Sequence, residues 1–177
     1  MRIKLILFLF LVTILSCNGK NSSEKIKLTL NVEKIELTAK NNELIRDYRP
    51  DKIGFKTKLI ITNVSNGVFN FDMWTCSFHQ FLTTNTLNAK IFGPVRCDQN
   101  VISEIKLKPN EKIEYDFMIL KDNDKNLTNT EDLENVKIGL TEIHTDWNLE
   151  KSVIDQADEQ FKANKKKIYW SNSVDIK

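Results

Sequence analysis

Three cysteines, Cys17, Cys76 and Cys97, carry the widest range of chemistry that this chain offers. A thiol can form a disulfide, bind a metal, act as a nucleophile or receive a covalent modification, and its surroundings decide between these roles. Cys17 stands in the stretch "TILSCNGKNSSEK", immediately after the most apolar run of the chain. The segments around Cys17 therefore determine how the other two thiols are interpreted.

The chain begins with a pattern typical of a secreted protein. "MRIK" supplies two positive charges, and residues 5–15 form an eleven-residue apolar run interrupted only by Thr13. A helix that crosses a bilayer needs about 20 apolar residues, so this run is too short for an ordinary membrane span. The residues "ILSC" that follow resemble the lipobox of bacterial lipoproteins, in which the cysteine receives a diacylglycerol and the chain is cut before it.

The lipobox resemblance implies that residues 1–16 are a signal peptide. Cys17, carrying acyl chains such as palmitate, would then be the first residue of the mature protein. Two or more acyl chains hold a protein stably on a membrane. Residues 17–25 contain no apolar side chain after the cysteine and are predicted to be a flexible tether. In the alternative interpretation the signal peptide is an ordinary one and Cys17 is incidental.

The residue after the cysteine bears on the membrane to which the protein is sorted. Position 18 is Asn, whereas an Asp there favours inner-membrane retention in the sorting rule of enteric bacteria. We therefore expect a lipid-anchored protein of the cell envelope, attached to the outer membrane. Whether it occupies the periplasmic or the surface face is left open by the sequence.

Export to an oxidising compartment favours a disulfide between Cys76 and Cys97, because with Cys17 acylated the remaining thiols are an even pair. Closing a loop of about 22 residues would stabilise the fold by about 3 kcal/mol in the chain-entropy model. A redox or metal-binding pair is the competing interpretation. It is weakened by the spacing, which is not C-x-x-C, and by the small number of histidines, His79 and His144.

Other groups of residues match catalytic or metal-binding patterns poorly. Residues 122–126, "DNDKN", resemble the start of a calcium-binding loop, but leucines stand where that loop needs Gly and Glu. "HTD" at 144–146 lacks the further ligands that zinc needs, and Ser77 near His79 lacks an acid partner and a strained elbow. We therefore expect no enzyme activity, no cofactor and no bound metal.

The charge balance argues against a nucleic-acid partner. The full chain has 26 basic and 24 acidic residues, and removal of residues 1–16 takes away Arg2 and Lys4, which leaves 24 of each. A nucleic-acid-binding protein normally shows a basic face. The run "KANKKK" at 162–167 is predicted to be an exposed helix end that guards a strand edge, rather than a lipid or polyanion site.

Alternating apolar residues predict about eight strands in a single domain of residues 26–177. A change of phase at Ile35 predicts either a bulge in the first strand or a break into a second short strand, and another change predicts a bulge near Met73 and Trp74. The segment "TNVSNG" is predicted to be a turn, because Asn66 and Gly67 accept positive φ at little cost. One helix is predicted within residues 148–163, with an apolar face made of Val153, Ile154, Ala157 and Phe161. This pattern indicates a mainly β protein, an immunoglobulin-like antiparallel β-sandwich with one short late helix.

A set of aromatic residues admits two interpretations. If Trp74, Phe78, Phe81 and Phe92 were exposed, they would form a ligand-binding platform. The interpretation that we favour is that they fill the core, because a sandwich of this size needs aromatic side chains inside. Trp74 and Cys76 are expected to share one face of a strand, which would place the indole beside the disulfide.

Several segments together resemble known families. The order "LIITNVSNG", "WTCSF", "GPVRC", "IKLKPNEKIEYDF" and "IYWSN", over residues 53–176, resembles small lipoproteins of the Bacteroidota with an immunoglobulin-like β-sandwich. More distantly, the "T-N" strand ending and the "L-x-P-N-E" turn resemble the BsuPI-like intracellular proteinase inhibitor domain. The first resemblance implies a non-catalytic envelope lipoprotein that interacts with a protein or a glycan. The second implies an extracytoplasmic proteinase inhibitor as the alternative, although no inhibitory residue can be carried over.

Overall fold

The computed structural model describes residues 24–93, 100–121, 133–146, 148–163 and 168–176. The predicted signal peptide, Cys17 and most of the tether lie outside these ranges. Cys97, the "DNDKN" segment and lysines 165–167 also lie outside them. What the sequence predicts for those residues stays a prediction.

Four of the described strands form the first antiparallel sheet. They are β1 (Ile26–Leu37), β2 (Ile53–Asn63), β5 (Ala89–Phe92) and β7 (Lys112–Lys121), in the order β1-β2-β7-β5. β2 and β7 pair without a break from Ile53 opposite Lys121 to Thr62 opposite Lys112. The register between β1 and β2 shifts between Val32 and Glu36, so the bulge predicted from the change of phase in β1 is confirmed.

Shorter strands build the second antiparallel layer. β4 (Leu82–Thr84), β9 (Ile138–Thr141) and β10 (Ile168–Trp170) lie in the order β10-β9-β4. β8 (Leu133–Val136) pairs with β11 (Val174–Ile176), and the two continue β9 and β10 beyond breaks at Lys137 and at residues 171–173. β3 (Phe69–Trp74) and β6 (Ile102–Leu107) form a further antiparallel pair, which the N–H of Asp72 joins to the C=O of Ile143 at 2.7 Å.

The strand order identifies the fold. In an immunoglobulin constant-type sandwich, strands A, B, E and D form one sheet and strands C, F and G form the other. If β1, β2, β4, β5, β7, β9 and β10 are read as strands A to G, the described sheets have the orders A-B-E-D and G-F-C. The prediction of a mainly β, immunoglobulin-like antiparallel sandwich is therefore confirmed, and the β3–β6 pair is an addition to that plan.

One apolar core holds the two sheets together. Its members come from both sheets, because every second side chain of each strand points to the same face. Phe55 and Leu59 of β2 belong to the same buried cluster as Ile138 and Leu140 of β9. Burial of each such side chain contributes about 1.5–3 kcal/mol to folding.

A short helix, α1 (Glu43–Tyr48), covers the outer face of the first sheet. The side chain of Asn42 caps it by accepting from the N–H of Ile45 at 3.0 Å. Ile45 is fully buried and packs with Met118 and Leu120 of β7 in a second small cluster. The sequence pattern places Met118 on the face opposite the core, and α1 explains why that face is nevertheless buried at this point.

The late helix, α2 (Val153–Ala163), confirms the predicted element and corrects part of its predicted face. Ala157 is buried, but Ile154 is exposed and Gln156 is buried instead. The reason is polar: the side-chain amide of Gln156 donates to the C=O groups of Asp146 and Lys151 at 2.9 and 2.8 Å. Hydrogen bonds to the preceding loop, rather than apolar periodicity alone, set the rotation of this helix.

Candidate functional site

Cys76 lies in the turn that follows β3, where the side chain of Asn100 organises the backbone. Asn100 Oδ1 accepts from the N–H groups of Cys76 and Ser77 at 3.3 and 3.1 Å, and Asn100 Nδ2 donates to Ser77 Oγ at 2.9 Å. Two predictions fail here. β3 pairs with β6 without a bulge as far as Trp74 and then ends, so Trp74 and Cys76 do not share a strand face. A 3-10 helix (Phe78–Phe81) follows and turns the chain instead.

The four aromatic residues do not form one exposed platform, which is the interpretation that the sequence disfavours. Phe78 and Phe81 are buried through the 3-10 helix, and Trp74, half-buried, stacks on Phe81 with ring centroids 6.5 Å apart. Phe92 packs elsewhere, against the small cluster under α1. The favoured interpretation, that these aromatic side chains pack in the interior, is confirmed for Phe78 and Phe81.

The two histidines and Ser77, which the sequence offers as weak catalytic candidates, are not joined by hydrogen bonds to one another in the described structure. Burial lowers the pKa of His79, and its Nδ1 is buried without a hydrogen-bond partner among the described residues. Ser77 Oγ accepts from Asn100 rather than from an imidazole.

The "HTD" segment forms contacts of its own. His144 Nε2 lies 2.9 Å from Glu142 Oε1, and Thr145 Oγ1 donates to Asp72 Oδ2 at 2.8 Å. Within the described ranges, no three His, Cys, Asp or Glu side chains group as a metal site would require.

The surface that does combine aromatic and polar side chains is a groove between β1 and β10, called here the Trp170 groove. It has a volume of about 520 Å³ and is lined by Glu24, Ile26–Leu28 and Ile168–Asn172. Trp170 is 42% exposed on it. From the sequence, Trp170 is predicted only to be a strand residue. The one signal that it could be exposed is its position at the end of a short apolar run, directly before the polar residues "SNS".

Gly139 on β9 lets the outer face of β10 carry large side chains. A Cβ at this position would lie 2.4 Å from Ile168 Cγ2 and 3.0 Å from Trp170 Cζ3. Both side chains therefore lie flat across the backbone of β9, because Gly139 presents no side chain of its own. This packing fixes the indole against the sheet and leaves its other side to solvent.

The groove exists because two edge strands meet at only one point in the described structure. Leu28 and Ser171 form an isolated parallel bridge. Beyond it, the side chain of Asn172 closes the gap: Oδ1 accepts from Leu30 N–H at 2.7 Å, and Nδ2 donates to Leu30 C=O at 3.1 Å. On the other side of the bridge, the beginnings of β1 and β10 line the groove.

A charged network supports one wall of the groove. Glu142 accepts from the hydroxyl of Tyr169 at 2.8 Å and from His144 Nε2 at 2.9 Å, and Lys25 Nζ lies 4.0 Å from it. Burial acts to raise the pKa of Glu142, but the hydrogen bonds from His144 and Tyr169 and the charge of Lys25 outweigh it and lower that pKa. Burial, together with the Glu142 carboxylate, raises the pKa of Tyr169. Tyr169 is thus held as a neutral donor to an ionised Glu142, and its ring packs edge-on against Phe69 with centroids 6.2 Å apart.

The fold and the groove define the structural class of this protein. It is an immunoglobulin-like β-sandwich with an aromatic groove between the edge strands β1 and β10. Comparison of the chain with models of protein families, with curated proteins and with solved structures finds no match. Among the described residues, no helix is both long enough and apolar enough to cross a membrane.

Proposed function

We propose that this protein is an envelope lipoprotein, anchored by acyl chains on Cys17, whose immunoglobulin-like domain is a non-catalytic module for interaction with a protein or a glycan. The observation that carries the interaction role is the Trp170 groove, which offers a rigid, solvent-facing indole. Tryptophan and tyrosine dominate recognition surfaces, because they bury much apolar area and keep a polar group in reach.

The polar groups around the groove support a binding role over a catalytic one. Asn172 is engaged with the backbone of β1, and Glu142 is engaged with Tyr169 and His144. Ser171 Oγ accepts from Ile138 N–H at 3.0 Å and donates to Asn172 C=O at 2.8 Å. These side chains are hydrogen-bonded within the protein and so hold the walls of the groove in place. General acid–base catalysis instead needs a side chain that can hydrogen-bond to the substrate. We therefore propose that the protein is not an enzyme and holds no cofactor.

Location in the outer membrane follows from the same proposal. Its support is the apolar run before Cys17, the lipobox-like residues "ILSC" and Asn at position 18. The predicted domain begins at Ile26, nine residues after Cys17, so it would stand close to the membrane that holds the acyl chains.

Cross-linking in intact cells tests the interaction role. The lipidated protein is cross-linked, purified and analysed by mass spectrometry for the molecule joined to it, beside the Trp170→Ala variant. Loss of a central aromatic contact typically costs about 2 kcal/mol or more, so we expect the yield of the specific product to fall by about tenfold or more.

The matched control is Tyr48→Ala, which removes an aromatic side chain of similar exposure, 39%, from α1. We expect this control to keep the wild-type yield. Equal yields from Trp170→Ala and from the wild type, with both proteins folded, would show that the groove does not bind the partner.

A disulfide between Cys76 and Cys97 is the second part of the proposal, and the geometry of the described residues supports it. Trp74 pairs with Ile102, and the N–H of Thr75 donates to Val101 C=O at 3.0 Å, so Asn100 lies beside Cys76. Cys97 is three residues before Asn100, a reach of about 10 Å at most. That reach is compatible with the Cα separation of about 4.4–6.8 Å that a disulfide requires.

Peptide mapping under non-reducing conditions checks this bond. We expect the peptide containing Cys76 to be joined to the peptide containing Cys97, and to separate from it on reduction. Alkylation of both thiols in freshly isolated, unreduced mature protein would contradict the prediction.

Proteinase inhibition remains a second candidate, because the two turns that resemble an inhibitor domain meet in space. Asn63, which ends the "T-N" strand, donates from Nδ2 to the C=O of Leu107 in the "L-x-P-N-E" turn at 2.8 Å. The N–H of Asn110 in that turn donates to Asn63 C=O at 2.9 Å. An envelope protease recovered as the cross-linked partner, and inhibited by the purified domain, would favour this candidate over a receptor or glycan partner.

A further inference from the structure

We propose that the end of the sandwich at which β1 begins is a second membrane contact, which rests on the surface of a lipid bilayer. This end is called the N-terminal pole and consists of Lys25, the loop of residues 64–68 and the turn of residues 108–111. The inference rests on the proposed anchoring at Cys17. It goes further by assigning a lipid-binding surface to the folded domain itself.

Hydrogen bonds join the three segments of the pole into one surface. Val64 N–H donates to Lys25 C=O at 3.0 Å, which ties the loop to the start of β1. Asn63 N–H donates to Glu111 C=O at 3.0 Å, which ties the same loop to the turn. Because these contacts are between backbone groups, the loop and the turn hold a fixed position relative to the point at which the chain enters the domain.

The pole presents apolar side chains to solvent. Val64 is 45% exposed and Val68 is 63% exposed. Both lie in the loop after β2, whose inward side chains are buried. Lys108 of the turn is exposed, and so is Lys112, the first residue of β7. Exposed valines flanked by lysines match the boundary between acyl chains and anionic headgroups, where apolar groups enter the bilayer and lysines meet negative charge.

Acidic groups of the pole oppose this attraction only in part. Glu111 accepts from the N–H of Lys108 at 2.7 Å and so caps the turn, and Glu142 is engaged with Lys25 and His144. Glu24 is exposed. We therefore expect contact with anionic bilayers to be stronger than contact with zwitterionic ones, and to weaken when salt is added.

The length of the tether determines which pole can face the membrane. Seven Cα-to-Cα steps separate Cys17 from Glu24, a reach of about 25 Å at full extension. β7 alone has ten residues and spans about 33 Å from pole to pole. A domain anchored at Cys17 cannot therefore stand inverted with its opposite pole on the bilayer.

Nitroxide labels at the two poles test this orientation in the full lipidated protein. Val68→Cys places a label on the N-terminal pole. Leu87→Cys places one on the opposite pole, because Leu87 is 91% exposed and lies two residues before β5, which begins opposite the last residue of β7. The proteins are inserted into vesicles of anionic or zwitterionic lipid. Collision rates of each label with oxygen and with a water-soluble nickel complex are then measured.

We expect the oxygen-to-nickel collision ratio at residue 68 to rise about threefold or more in anionic vesicles relative to detergent solution, as for a side chain that enters the headgroup region. The ratio at residue 87 should stay the same. Parent protein without an added cysteine, treated with the same nitroxide reagent, shows whether the native thiols take up the label, and its signal is subtracted.

Each outcome decides between the two proposals. Mass spectrometry of the same samples shows whether Cys17 carries acyl chains, and their absence would overturn the anchoring on which both proposals depend. Acylated protein with equal ratios at residues 68 and 87 would overturn the membrane contact alone and leave the anchor intact. Equal rises in anionic and zwitterionic vesicles would show that the valines enter the bilayer without help from the lysines.

Discussion

Replacing Asn63 by alanine is expected to lower the free energy of unfolding by about 3 kcal/mol, because each buried polar group left unsatisfied costs about 1–3 kcal/mol. The Asn63 side chain is fully buried. Its Nδ2 donates to the C=O groups of Gly67 and Leu107 at 2.7 and 2.8 Å, and its Oδ1 accepts from Ser65 N–H at 2.9 Å. Alanine would leave these backbone groups without their partner and would leave a small cavity at the junction of two turns.

Denaturant unfolding of the purified domain measures this loss as a lower midpoint with an unchanged slope. The matched control is Asn70→Ala on the neighbouring strand, where an exposed amide donates to Glu104 at 2.9 Å. That control is expected to change the unfolding free energy by less than about 0.5 kcal/mol. Similar losses for the two variants would mean that the Asn63 network is not an important contribution to stability.

Replacing Cys17 by alanine is expected to release most of the protein from sedimented membranes. The described domain contains no helix that could span a bilayer, and the proposed attachment depends on acyl chains, each of which contributes about 0.8 kcal/mol per buried CH₂ group. Without the thiol no thioether can form. The variant should lose its acyl label and stay in the supernatant when membranes are sedimented, while wild-type protein sediments with them.

Ser16→Ala is a matched control for this experiment, because it keeps a small residue before the cysteine and leaves the thiol in place. It should be processed and acylated as the wild type is. A Cys17→Ala protein that sediments with membranes to the same extent as the wild type would refute the anchor, whatever the behaviour of the domain.

The strands could be predicted from the sequence because each strand buries the side chains of one face and leaves those of the other face nearer to solvent. In β2, the inward residues Phe55, Leu59 and Ile61 alternate with side chains that are exposed or half-buried, and this period of two depends on neighbours along the chain alone. The bulge in β1 left the same kind of local trace. The bulge predicted near Trp74 failed because the change of phase there marks the end of a strand and the start of a 3-10 helix.

The turn after β2 lies where the sequence predicts it, but its closure depends on a residue outside the predicted turn pair. Asn66 and Gly67 could accept positive φ, whereas among the described residues the backbones with positive φ are those of Asn110 and Asn135. The loop is instead closed by Asn63, through contacts with the chain more than forty residues later. A side chain that bridges segments so far apart leaves no periodic signal in the sequence.

The Trp170 groove was beyond sequence reasoning for a similar reason. Its two walls come from the first and the tenth strand, and the bonds that close it join Leu30 to Asn172. Gly139, which makes room for the indole, comes from a third strand. The exposed tryptophan could have been noticed, but its surroundings depend on how distant edges of two sheets approach each other.

The paired breaks in the β8–β9 and β10–β11 strands have a consequence for the protein in a crowded compartment. Side chains replace the ladder at these breaks: Ser171 Oγ accepts from Ile138 N–H, and Asn85 Oδ1 accepts from Lys137 N–H at 2.7 Å. The outer edge is thereby divided into two segments of three residues each. Edges this short are poor templates for a strand from another molecule, so copies of the protein at high concentration should resist growth into fibrils.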